Sequence, residues 1–164
     1  MPKRLPERFQ PDSILEFQAA ARQRSLDAIT LHAAGRRTAA VYLWGYVAEM
    51  TLKAAYFRVV GFGQTQAITR TDLRAGLNSL PGPASNRPLH HLGLWAQALV
   101  AFRAGTPGLG YADLTFGSTV TAKAQSLYGI WRETIRYHKN TAYVHELIRA
   151  RDAAEWLLIH SDSL

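Results

Sequence analysis

Two pairs of side chains in this sequence are spaced to do chemistry. Arg132 and His138 stand six residues apart near the end of an apolar, helix-patterned run. An arginine can hold a scissile phosphate and stabilise the charge that develops on it. A nearby histidine can move the proton of a ribose 2′-hydroxyl, so the two together could cleave RNA without a metal. On a continuous helix residues six apart point about 120° away from each other, so convergence requires the helix to end between them. Tyr137 to Asn140 is where that end is expected. The spacing alone carries no weight, because a chain this rich in arginine produces it by chance. The second pair is Glu49 and Lys53, four apart at the centre of the almost wholly apolar stretch Val41 to Tyr56. They project from one side of a helix as a single polar notch. The pair reads first as a partly buried ion pair, or as two side chains reaching partners such as Arg132 or Arg136, and second as part of a catalytic pocket.

The remaining reactive residues suggest less. The six histidines are His32, His90, His91, His138, His145 and His160. None forms the His-Glu-x-x-His pair that puts two imidazoles and a base on one metal, so no metal site is expected, and surface or capping roles are. There is no cysteine, hence no disulfide, thiol nucleophile or thiolate metal site. Gly105, Gly108 and Gly110 lack the spacing of a phosphate-cradling loop. Ser118 follows Gly117 without the strand of a nucleophile elbow and reads as a helix cap. No cofactor is implied.

The elements that must position these groups are helices. Ser13 caps a first helix over 13–34 that stops at Gly35. Gly35 to Arg37 forms a tight turn, Thr38 caps, and the central apolar helix runs to Gly61, so the first two helices make an antiparallel hairpin. Residues 62–89 form a long connection, with a short helix opened at Thr71-Asp72 and breakers at Pro81, Pro83 and Pro88. A third main helix starts near Leu89 and stops at Gly105. A fourth, capped by Ser118 or Thr119, ends near Arg136 to Asn140, and a fifth covers about 141–160. Tyr42, Trp44, Tyr46, Trp95, Trp131 and Trp156 are expected in a core or dimer interface, since a base-stacking platform would need them on an open surface.

The whole chain of 164 residues is one ordinary domain, 48% hydrophobic and 19% charged, outside the disordered classes. Its formal net charge is +7, and +5 of that falls within residues 31–120. Such a surface favours polyanions such as RNA, or simply keeps the protein in solution. The start has charge but no apolar signal segment, so residues 1–12 read as an extended arm and the location as cytoplasmic. A membrane span is the poorer reading of 41–56, because Glu49 and Lys53 lie at its midpoint.

The order of these features resembles the HEPN family of small all-helical domains. The resemblance rests on the hairpin with Ala39 to Ala54, on His91-Leu92 opening a helix after a long connection, and on Arg136-Tyr137 before a last helix with Ala153-Ala-Glu-Trp-Leu157. It implies an all-α, single-domain bundle of four or five helices over residues 1–164. It also implies contact with RNA or nucleotide chemistry, a homodimer, and a cognate antitoxin or nucleotidyltransferase as partner. Catalytic relatives are similar in an Arg-x4-6-His motif for metal-independent RNA cleavage at the dimer interface, matched here only by Arg132 and His138. In that reading Glu49, Lys53, Arg136 and Tyr137 complete a polar pocket. Glu133, straight after the arginine, departs from the small polar residue usual there, and its carboxylate would repel phosphate. Arg136-Tyr137 also fits relatives that are non-catalytic modules binding RNA, a nucleotide or a partner. Both functions are therefore carried forward.

Overall fold

A computed structural model describes residues 10–83 and 87–164 of the chain; the arm expected over 1–12 falls mostly outside the described residues. The architecture is an all-helical bundle: α1 (Ile14–Ala33), α2 (Arg37–Val59), α3 (Arg70–Asn78), α4 (Leu92–Gly105), α5 (Phe116–Tyr128) and α6 (Val144–Ile159). A 3-10 turn, Glu133–Tyr137, lies between α5 and α6. No described helix is long and apolar enough to cross a membrane.

Ser13 starts α1 by accepting a hydrogen bond from the Glu16 backbone N–H at 3.2 Å. Gly35, at φ +70°, makes the turn into α2, a conformation in which a side chain would be strained. α2 is apolar on all sides because it is enclosed on all sides. Fifteen of its 23 residues are buried, and it packs against α1, α6, α4, α5 and the 3-10 turn. Around it lie Trp44, Trp95 and Trp131, all fully buried, with Leu52, Phe57, Leu99 and Leu157. Each buried aliphatic or Phe side chain contributes roughly 1.5–3 kcal/mol by leaving water.

Three boundaries differ from expectation, each for a local reason. Thr38 lies inside α2, not at its cap: its Oγ1 accepts from the backbone N–H groups of Thr141 and Ala142, both at 2.8 Å. The start of α2 is capped from afar by Asn140, whose Oδ1 accepts from the Thr38 backbone N–H at 3.1 Å while its Nδ2 donates to the Gly35 carbonyl at 3.0 Å. The short helix α3 is opened by Thr69, which forms a reciprocal capping box with Asp72. Finally α5 begins at Phe116, where Ser118 donates to the Thr115 carbonyl instead of capping, and ends at Tyr128, well before Arg136. Gly129 follows, and the chain then turns to drive the Trp131 indole onto α2 at Gly45.

Candidate acid–base site around His90

The polar notch is present, and it is closed from outside by a histidine. Glu49 and Lys53 lie one turn apart on α2 with side chains 4% and 7% exposed, and the Lys53 ammonium donates to Glu49 Oε1. His90 comes from the end of the long connection. Its position is fixed on both sides: the Trp95 indole N–H donates to the Leu89 carbonyl at 2.8 Å, and His91 caps α4 by accepting from the Leu94 N–H at 3.2 Å. The His90 ring then meets both carboxylate oxygens of Glu49, Nδ1 lying 2.9 Å from Oε1 and 3.1 Å from Oε2.

This geometry sets the tautomer. Burial pushes the Glu49 carboxyl up, but the hydrogen bond from His90 and the charges of Lys53 and His90 outweigh it and hold the group below its ordinary value. Glu49 is therefore a carboxylate near neutral pH and can only accept, so Nδ1 of His90 carries the hydrogen. In the neutral ring Nε2 is then the bare nitrogen, free to take a proton. The hydrogen bond to Glu49 raises the His90 pKa above 6.5; burial opposes it, and Glu49's charge adds to it. A half-exposed imidazole oriented by a buried carboxylate is the arrangement of a general acid–base, and the carboxylate's upward push on the imidazole makes it a stronger base.

The surroundings are asymmetric. On one side of His90 is a cavity of about 290 Å³ between α1 and α2, lined by Asp12, Glu16, Phe17, Tyr46, Lys53 and His90 among others. Tyr46 meets His90 edge-on with ring centroids 6.5 Å apart, and meets Tyr42 and Trp131 in the same manner at 4.9 and 5.5 Å. Burial keeps Tyr46 a neutral phenol. On the other side lies the 128–138 segment: Glu133 is close enough to help raise the His90 pKa, and the Arg136 charge bears on Tyr42 and Tyr46.

Arg132 and His138 flank the 3-10 turn. Six residues of such backbone rise about 12 Å, and no hydrogen bond or ring contact joins the two among the described residues. The Arg132 guanidinium stacks 3.6 Å over Tyr128 and donates to the Trp131 carbonyl at 2.7 Å. His91 stacks on Tyr128 at 3.9 Å. Two planar groups so close cannot share a face, so the phenol is sandwiched between imidazole and guanidinium. His138 is exposed and ends the turn, its N–H donating to the Ile135 carbonyl at 3.0 Å. Arg136 donates to the Tyr137 hydroxyl at 2.6 Å and lies over the same ring.

The structure thus brings Glu49 and Lys53 together, sets Arg136 against Tyr137 and near Tyr42 and Tyr46, and shows no hydrogen bond or ring contact between Arg132 and His138 among the described residues. The residue that sequence reasoning missed is His90. It carries no local signal, since its partner is 41 positions away, and it is the neighbouring His91 that fills the capping role expected of histidines here. Comparison of the chain with protein-family models, with curated proteins and with solved structures found no match.

Proposed function

We propose that the chain acts on RNA as a metal-independent endoribonuclease, with His90 moving the proton. The observation that carries this reading is the Glu49 carboxylate gripping Nδ1 of a half-exposed imidazole. In the reaction, neutral His90 Nε2 takes the proton of a ribose 2′-hydroxyl. The 2′-oxygen forms a bond to the adjacent phosphorus, and the bond from phosphorus to the 5′-oxygen breaks. The leaving oxygen is protonated by solvent or by the imidazolium just formed, leaving a 2′,3′-cyclic phosphate and a 5′-hydroxyl. Arg136 acts on Tyr46, the ring that adjoins His90, and is the arginine we assign to the phosphate; the net charge of +7 supports a polyanionic substrate. From the family resemblance the reading also takes a homodimer, a cytoplasmic setting and an antitoxin or nucleotidyltransferase partner. The exposed apolar Val144, Ile148 and Ile159 of α6 are a face on which such a partner could close.

A second reading, a non-catalytic module that binds RNA, a nucleotide or a partner protein, is favoured by one observation. The Arg132 guanidinium is already engaged by Tyr128 and the Trp131 carbonyl, with Glu133 beside it. Incubating the wild-type protein, His90→Ala and His138→Ala with mixed cellular RNA, with and without a chelator, separates the possibilities. We expect chelator-resistant cleavage that His90→Ala loses and His138→Ala retains. Loss in His138→Ala alone would return the chemistry to the Arg132 and His138 pair. Cleavage by none of the three proteins would leave the binding module.

A further inference from the structure

The cavity beside His90 has a lining that a phosphate would not enter. Among the described residues, three acidic side chains face it: Asp12 and Glu16 at the rim and Glu49 at the floor. The carboxylates of Asp12 and Glu16 have no hydrogen-bond or ion-pair partner among the described residues. In a chain of net charge +7 this is a local reversal of sign. Glu49 is neutralised by Lys53 and His90, whereas no described cation pairs with the two rim carboxylates.

Lys53 supplies a second, independent observation. An ammonium has three N–H donors. Although the side chain is only 7% exposed and lines the cavity, one carboxylate oxygen of Glu49 is its sole hydrogen-bond partner among the described residues. Its remaining contact is with the Trp95 ring, 5.6 Å from nitrogen to centroid. Buried donors are ordinarily satisfied, so the two N–H donors that Glu49 does not take are available to an acceptor within the cavity. The cavity therefore offers a donor at its floor, acceptors at its rim, and the rings of Phe17 and Tyr46 as apolar walls. Its volume of about 290 Å³ is at the lower end of the roughly 300–1,000 Å³ usual for small-ligand pockets, room for one flat ring with part of a sugar.

We infer that this cavity seats a single nucleobase of the RNA and selects bases that carry both a ring carbonyl and an exocyclic amine. The carbonyl accepts from Lys53, and the amine donates to Asp12 or Glu16, as carboxylates accept from base amino groups elsewhere. Guanine and cytosine present both groups. Uracil lacks the amine and adenine lacks the carbonyl, and each would leave a charged group of the pocket unpaired, the kind of mismatch that discriminates strongly. The base would then hang from a ribose at the cavity mouth, where His90 stands. The inference rests on the proposed ribonuclease reading for its biological substrate, but the pocket itself is tested without cleavage.

The test is titration of the wild-type protein with each of the four free nucleosides, read by calorimetry and by the ring resonances of His90, which the His90→Ala variant identifies. Guanosine and cytidine are expected to bind at least about tenfold more tightly than uridine and adenosine, with the His90 resonances shifting. In Asp12→Asn/Glu16→Gln, whose replacements are isosteric and at the rim, that preference should fall by at least half on a logarithmic scale while the thermal melt is retained. Equal binding of all four nucleosides, no binding of any up to millimolar concentration, or an unchanged preference in the double variant would overturn the inference. RNA cleavage lost in His90→Ala but indifferent to base would overturn the pocket and leave the ribonuclease standing. Selective nucleoside binding without cleavage would do the reverse.

Discussion

At the scale of single residues the molecule turns on Glu49, which serves two cations at once. As an ion pair with Lys53 it fulfils the structural reading of the notch; as the partner of His90 it does something the helix alone did not announce. The two services have opposite pH signs. Glu49 is held below its ordinary 4.5, so its contribution to stability is present above that value and is lost as pH falls through the lower folded pKa. His90 is held above 6.5, so its contribution is complete below 6.5 and is lost as pH rises through the higher folded value. The cluster therefore stabilises most between about 4.5 and 6.5, and the proton-accepting form of His90 appears as that contribution fades. Replacing Glu49 by Gln should return the His90 midpoint to about 6.5 or below, visible in an NMR titration of its ring. The same change leaves Lys53 buried without a counter-charge and should cost about 3–5 kcal/mol by denaturant unfolding. Removing both charges in Glu49→Leu/Lys53→Leu should recover most of that loss while leaving His90 unoriented. A double variant as unstable as the single one would mean that the pair is held by more than its own charges.

At the scale of elements, what the sequence made legible follows the distance over which each cause acts. Helices α1 and α2 are legible to within two residues because their signals are local: Ser13 before the first apolar residue, Gly35 at the turn, and the almost wholly apolar stretch that follows it in α2. The same locality put Glu49 and Lys53 on one side. The end of α5, the cap of α2 and the partner of His90 were not legible, since each depends on residues 40 to 105 positions away. Trp131 illustrates the point. Its indole N–H donates to the Tyr42 carbonyl at 3.0 Å, and its ring lies where a Cβ on residue 45 would stand. A glycine inside a helix costs about 0.5–1 kcal/mol relative to alanine, so on propensity alone Gly45→Ala should stabilise α2. The structure reverses the sign. Added carbon would fall within the indole, and overpacking of a core typically costs 1–3 kcal/mol. We expect Gly45→Ala to lower the unfolding free energy by about that much and to disturb the Tyr46 and 128–138 surroundings of His90. A variant equal to or more stable than wild type in a urea titration would show that Trp131 does not sit on α2 in this way.

At the scale of the whole molecule the charge distribution separates two jobs. The chain is basic overall, yet the cavity beside His90 is rimmed by carboxylates, so the field of the whole molecule favours a polyanion while that one opening opposes it. If the chain acts on RNA as proposed, its phosphates are expected on the other side of His90, along the exposed segment that carries Arg132, Arg136 and Lys139. Of these, Arg132 is pinned to Tyr128, whereas Arg136 is exposed and engaged by the exposed Tyr137 and, electrostatically, by Tyr42. Each phosphate neutralised on a single strand changes the slope of log K against log salt by about 0.7. If all three cations make such contacts, single-stranded RNA should bind with a slope near −2. Arg136→Gln should make that slope shallower by about 0.7 and weaken binding to all sequences alike, because a phosphate contact carries no base information. Filter binding or fluorescence anisotropy between 50 and 200 mM salt measures both quantities. A slope near zero would remove the polyanion reading, and with it the reason to place RNA on this face. A slope of the expected size that Arg136→Gln does not alter would move the phosphate path to other basic residues while leaving the His90 site intact.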